Sequence, residues 1–225
     1  MALFRVPLRK MQSTLTLIFE LIGTVAFAAS GAMVGIKKRM DILGVCVLGL
    51  CTAVGGGVIR DVLLGSTPPK TFQSPIYAVF AAAVSVVVFI PRVRGLIHRH
   101  PQIYDISMLW MDAIGLGVFT AMGVSCCYAA VPTAGIFLTV FVAVLTGVGG
   151  GVLRDMMAGD MPYIFVKHFY ASASIIGALL TVLLWKHFSM NTAMILGAAC
   201  VVALRLCAAR YRWSLPKAGE VTDKQ

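Results

Sequence analysis

The chain has 225 residues, 59% of them hydrophobic and only 12% charged, with a mean hydropathy of +0.90. That leaves too little polar surface to clothe a soluble globule of this length, which excludes the soluble enzyme and binding-module classes. The net charge of +10 would suit nucleic acid, but the basic residues sit in short loops between apolar stretches and form no basic soluble face.

About 20 apolar residues cross the hydrocarbon of a bilayer, and the apolar stretches predict seven crossings, near 14–36, 42–65, 73–91, 104–126, 134–159, 167–186 and 189–209. The first could be mistaken for a signal peptide, but it lacks a small-residue cleavage site and reads as a retained helix. The chain divides into an N-terminal arm (1–13), a first three-helix repeat (14–91), a basic connecting loop (92–103), a second three-helix repeat (104–186), a seventh helix (187–209) and a polar tail (210–225). Between the crossings, ten Lys and Arg fall on one side, among them Lys37, Lys38, Arg39, Arg92, Arg94 and Arg99, and five on the other, including Lys70 and Lys186. The positive-inside rule then puts the N-terminus outside and the C-terminus in the cytoplasm, in a multi-pass inner-membrane protein.

The second and fifth crossings carry one motif twice. Gly55-Gly56-Gly57-Val58-Ile59-Arg60-Asp61 returns 94 positions on as Gly149-Gly150-Gly151-Val152-Leu153-Arg154-Asp155, followed in both copies by a glycine (Gly65, Gly159) and a proline (Pro68, Pro162). Upstream, Glu20, Gly23, Phe27 and Gly31 match Asp112, Gly115, Phe119 and Gly123 at an offset of 92. Each repeat holds three crossings, an odd number, so the second copy enters from the opposite side. The expected fold is all-α: two inverted three-helix repeats plus one C-terminal helix.

Glycine inside a helix costs about 1 kcal/mol relative to alanine, so the two blocks forgo roughly 6 kcal/mol of helix propensity. One reading is that both helices kink or unwind there, leaving carbonyls and open volume to line a conduit at mid-membrane. The other is that the glycines let a neighbouring helix approach closely.

Arg60 and Arg154 fall within membrane depth, where a charge costs at least about 2.5–3.5 kcal/mol unless paired or hydrated. Neighbours i and i+1 on a helix do not face each other. Each arginine is therefore expected to pair with an acid of another helix rather than with Asp61 or Asp155, and Glu20 and Asp112 are the candidates; the competing reading has both acids solvated near the membrane surfaces. Cys46, Cys51, Cys126, Cys127, Cys200 and Cys207 lie in predicted crossings without a CxxC pair or a histidine array, and read as packing residues. The glycine block lacks a phosphate-loop pattern, and no nucleophile with His and acid partners stands out. No catalytic residue, cofactor or metal site is expected.

The doubled GGGxxRD signature and the 3+3+1 span count resemble the bacterial branch of the trimeric intracellular cation channel family, whose domain is also catalogued as a glycine transporter. The likeness covers about Leu15 to Ala209. It implies a homotrimer in the lipid bilayer, with a pore in each protomer permeable to monovalent cations, chiefly K+. Gly55, Gly56, Gly57, Gly149, Gly150 and Gly151 would form the pore kinks, with Arg60 and Arg154 as pore charges beside Asp61 and Asp155. The Lys-Glu-Val motif that animal members carry near the first kink is absent, so phosphoinositide regulation does not transfer. Passive potassium conduction is the first expectation. A secondary carrier of a small zwitterion such as glycine is the alternative.

Overall fold

A computed structural model describes residues 14–166 and 169–213, and these form ten helices and no strand. The expected N-terminal arm and nearly all of the polar tail lie outside the described residues. The helices are α1 (Thr14–Lys37), α2 (Ile42–Leu63), α3 (Lys70–Gln73), α4 (Ile76–Phe89), α5 (Pro91–Arg99), α6 (Pro101–Ala130), α7 (Ile136–Met157), α8 (Tyr163–Val166), α9 (Ala171–Trp185) and α10 (Met190–Arg210). Five of them, α1, α2, α6, α7 and α10, are long and apolar enough to cross a membrane. A sixth candidate is α4 with α5, bent by 70° at the break between them, while α9 is apolar but has only 15 residues.

The bend replaces an expected loop. Residues 92–103, read from sequence as a connecting loop, instead hold α5 and the start of α6. Proline lacks the N–H that a continuing helix needs and fits the first position of a new one, so Pro91 ends α4 and begins α5, and Pro101 begins α6.

Helix ends repeat the sequence duplication. At the end of α2, Ser66 N donates to Asp61 O at 2.8 Å, and at the end of α7 Asp160 N donates to Asp155 O at 2.9 Å. Both are Schellman caps closed by a glycine in the left-handed region, Gly65 (φ 69°) and Gly159 (φ 72°). α1 ends in the same motif, with Met40 N donating to Gly35 O at 3.0 Å, but there the left-handed residue is Arg39 (φ 59°).

α1 and α6 cross at the centre through a reciprocal exchange. The Phe27 ring fills the space that a side chain at Gly115 would need, and the Phe119 ring does the same at Gly23. The two ring centroids lie 5.2 Å apart. Towards one end Phe19 packs with Met122 and Cys126, and towards the other Met33 and Val34 pack with Tyr104 and Met108. The two helices therefore run in opposite directions. α10 joins the first of these clusters through Met194 and Ala198.

α2 meets α7 at the triple glycines. A methyl group added to Gly149 would lie 3.1 Å from Gly56 Cα; one on Gly56 would overlap the Thr146 carbonyl oxygen, and one on Gly150 that of Thr52. Both helices run through these residues without interruption, which corrects the expectation of unwound segments at Gly55–Gly57 and Gly149–Gly151. Backbone contact at the crossing offsets the weak helix propensity of glycine, so the hydrogen-bond ladder need not open.

Candidate functional site

Arg154, near the end of α7, is completely buried (0% exposed). Its Nη1 donates to Asp112 Oδ1 of α6 at 2.8 Å and also to Ser30 Oγ of α1, while Nε donates to Asp155 Oδ1 at 2.8 Å. Tyr170, just ahead of α9, donates its hydroxyl to Asp112 Oδ1 at 3.3 Å. From α10, Arg205 places Nη2 3.9 Å from Asp112 Oδ2 and its guanidinium 4.7 Å from the Tyr170 ring centre. Two arginines and two aspartates make a neutral cluster, the form in which buried charges are tolerable. Among the described residues, Asp112 Oδ2, Arg154 Nη2 and Arg205 Nε have no hydrogen-bond partner.

The matching place in the first half is built alike but opens. Arg60 donates from Nε to Asp61 Oδ1 at 2.8 Å, and the Tyr77 hydroxyl of α4 donates to Glu20 Oε2 of α1. Glu20 and Asp112 are thus each held by a tyrosine at the start of a matching helix, Tyr77 in α4 and Tyr170 just ahead of α9. Glu20, Thr24, Gly57, Arg60, Lys70, Tyr77 and Phe119 line a cavity of about 40 Å³, room for roughly three waters. Gly57 differs from its neighbours: a methyl group there would meet only Arg60, with Nη2 3.6 Å away. The middle glycines bring the helices together, and the third keeps the cavity floor low.

Each aspartate does two things. Asp61 Oδ2 accepts Lys70 N at 3.0 Å, and Asp155 Oδ2 accepts Tyr163 N at 2.9 Å. The carboxylate thus ties the end of its helix to the short helix that follows.

The structure brings Arg154 to Asp112, as the sequence suggested. It corrects the expectation that Arg60 and Arg154 avoid Asp61 and Asp155. The guanidinium is long enough to fold back along its own helix at the last turn, where both residues are buried, so sequence neighbours pair after all. Sequence reasoning missed Tyr77, Tyr170, Ser30 and Arg205. Tyr77 and Tyr170 were findable, since they recur 93 positions apart at the starts of corresponding helices; Arg205 has no counterpart in the first half.

Fold and site together define a polytopic helical membrane protein whose two central helices cross at glycines and end in buried arginine–aspartate pairs. The glycine transporter family model matches residues 17–92 and 109–186. The UPF0126 inner membrane protein YadS of Escherichia coli (strain K12) is 36% identical over 199 residues, 88% of this chain and 93% of YadS. A solved structure described as "Structural basis for conductance through TRIC cation channels" shares 36% identity with a TM-score of 0.77, covering 90% of this chain and 97% of that one. The TRIC trimeric intracellular cation channel orthologue from Rhodobacter sphaeroides shares 31% identity with a TM-score of 0.80, covering 89% and 100%. This chain belongs to the bacterial trimeric intracellular cation channel family, whose domain is catalogued as a glycine transporter.

Proposed function

We propose that this chain is a monovalent cation channel, permeable chiefly to K+, in which each protomer of a homotrimer holds its own passive pore. The similar chains described as TRIC cation channels support this reading. The observation that carries it is the pair of related charge sites on either side of the α2–α7 crossing, one lining a cavity and the other sealed. Opposite helix directions in the α1–α6 pair support an inverted-repeat protein of seven crossings, repeats at 14–91 and 104–186 and a seventh helix at 187–209. The positive-inside rule favours the N-terminus outside and the C-terminus in the cytoplasm of the inner membrane, where YadS is named.

A cation would enter by the cavity, drawn by the Glu20 carboxylate against the charges of Arg60 and Lys70. Beyond it stand two barriers, the Phe27–Phe119 ring pair and the neutral cluster around Arg154. In this reading the pore is closed, and conduction would require the Phe119 ring and the Arg154 side chain to give way.

A second reading, a carrier of a small zwitterion, is favoured by one feature: Arg60 and Glu20 face a single cavity and suit a carboxylate and an ammonium group. Purified protein in liposomes separates the two. Potassium flux that rises linearly with driving force and ignores amino acids is the expected result. Saturable glycine counterflow without potassium flux would replace the channel by the carrier.

A further inference from the structure

The strongest feature outside the charge sites lies where α4 breaks into α5. Here the end of α1, the turn into α2, the end of α4 and the start of α5 border an open hollow of about 410 Å³, lined by Ile36, Arg39, Met40, Phe89 and Arg94. Ile36, Met40 and Phe89 are apolar, and Arg39 and Arg94 are exposed arginines. The Arg94 guanidinium carbon lies 5.1 Å from the centre of the Phe89 ring. Neither arginine takes part in an ion pair among the described residues, whereas Lys38 beside them pairs with Asp160.

α5 has the build of a helix lying in a membrane surface. It is nine residues long, carries Arg92, Arg94 and Arg99, and sends Ile97 inward against α1 and α2 while Leu96 stays 47% exposed. Basic, amphipathic helices of this kind settle at the level of lipid headgroups. The 70° turn away from α4 places the arginines beside the apolar end of that helix.

Arg39 adds an independent sign. Its left-handed backbone is the position that glycine fills at the ends of α2 and α7, and a residue with a Cβ is disfavoured there. The chain keeps an arginine at a helix end of the kind that α2 and α7 close with glycine, and that arginine lines the hollow.

We propose that this hollow is a binding site for an anionic phospholipid, with the phosphate held between Arg39 and Arg94 and the first acyl carbons lying over Ile36, Met40 and Phe89. The apolar floor selects a lipid over free phosphate, and the unpaired arginines select an anionic headgroup over a zwitterionic one. The site is separate from the charge sites of α2 and α7, and does not depend on whether the protein conducts ions.

The test uses the full chain in detergent, titrated with short-chain phosphatidylglycerol or phosphatidylcholine and followed by native mass spectrometry. Phosphatidylglycerol should bind preferentially. The double variant Arg39→Gln/Arg94→Gln should weaken it by roughly 20- to 30-fold, from about five-fold per arginine near a membrane surface, while Arg39→Lys/Arg94→Lys retains most of the binding. Lys186→Gln, in the turn before α10, should leave it unchanged, and millimolar inorganic phosphate should not displace the lipid. Equal binding of the two lipids, undiminished binding in the Gln variant, or displacement by phosphate alone overturns the proposal. A Gln variant that does not fold shifts the reading to Arg39→Gln alone, for which a loss of about five-fold is expected.

Discussion

Asp112 accepts a 2.8 Å hydrogen bond from Arg154 at a point where the aspartate is 1% and the arginine 0% exposed. An ion pair so far from water adds little net stability over an apolar pair, yet removing one member leaves the other charge stranded, at about 3–5 kcal/mol. This cluster balances only as a set of four.

Asp112→Asn should therefore lower the melting temperature in detergent, by an amount corresponding to about 3–5 kcal/mol. Adding Arg205→Gln to it should restore part of the loss, because the double variant is again neutral. A thermal-shift double-mutant cycle measures the coupling; strictly additive losses would show that Arg205 does not share the charge of Asp112.

The glycines of one motif should answer differently to the same substitution. Gly150→Ala drives a methyl group into the Thr52 carbonyl and should cost about 1–3 kcal/mol by overpacking, visible as a lower melting point. Gly57→Ala meets only the guanidinium of its own Arg60, so the fold should hold while potassium flux into liposomes falls. Equal melting points for the two variants would remove the distinction between crossing and cavity floor.

Phe119→Ala takes away the ring that closes the inner end of the cavity. Basal potassium flux should rise several-fold, at a stability cost of about 3–5 kcal/mol. Flux at the wild-type level in a correctly assembled variant would place the barrier elsewhere.

At the cavity mouth, Glu20→Gln leaves Arg60 and Lys70 facing an incoming cation with less opposing charge. Potassium flux should drop, and the drop should shrink as ionic strength is raised and the charges are screened. A loss that does not depend on salt would make Glu20 a structural partner of Tyr77.

The duplicated motif, the equivalence of Glu20 with Asp112 and the link from Arg154 to Asp112 were legible in the sequence, because repetition and the expense of intramembrane charge are both properties of the chain itself. The course of α2 and α7 was not. Helix propensity sees the glycines of Gly55–Gly57 as weak points, while the contact of Gly56 with α7 that makes them acceptable exists only once two distant segments meet. The Arg60–Asp61 and Arg154–Asp155 pairs escaped for a related reason, since the rule about adjacent residues concerns where side chains start and not how far a guanidinium reaches. Arg205 lies outside the repeats, so no internal comparison pointed to it.

That last residue changes the standing of α10. A helix without a counterpart in either half supplies a positive charge beside Asp112, the acid that holds Arg154 from another helix. Deleting it would do more than trim the edge of the bundle: Asp112 would keep a single cation, and the latch on the sealed side would loosen from behind.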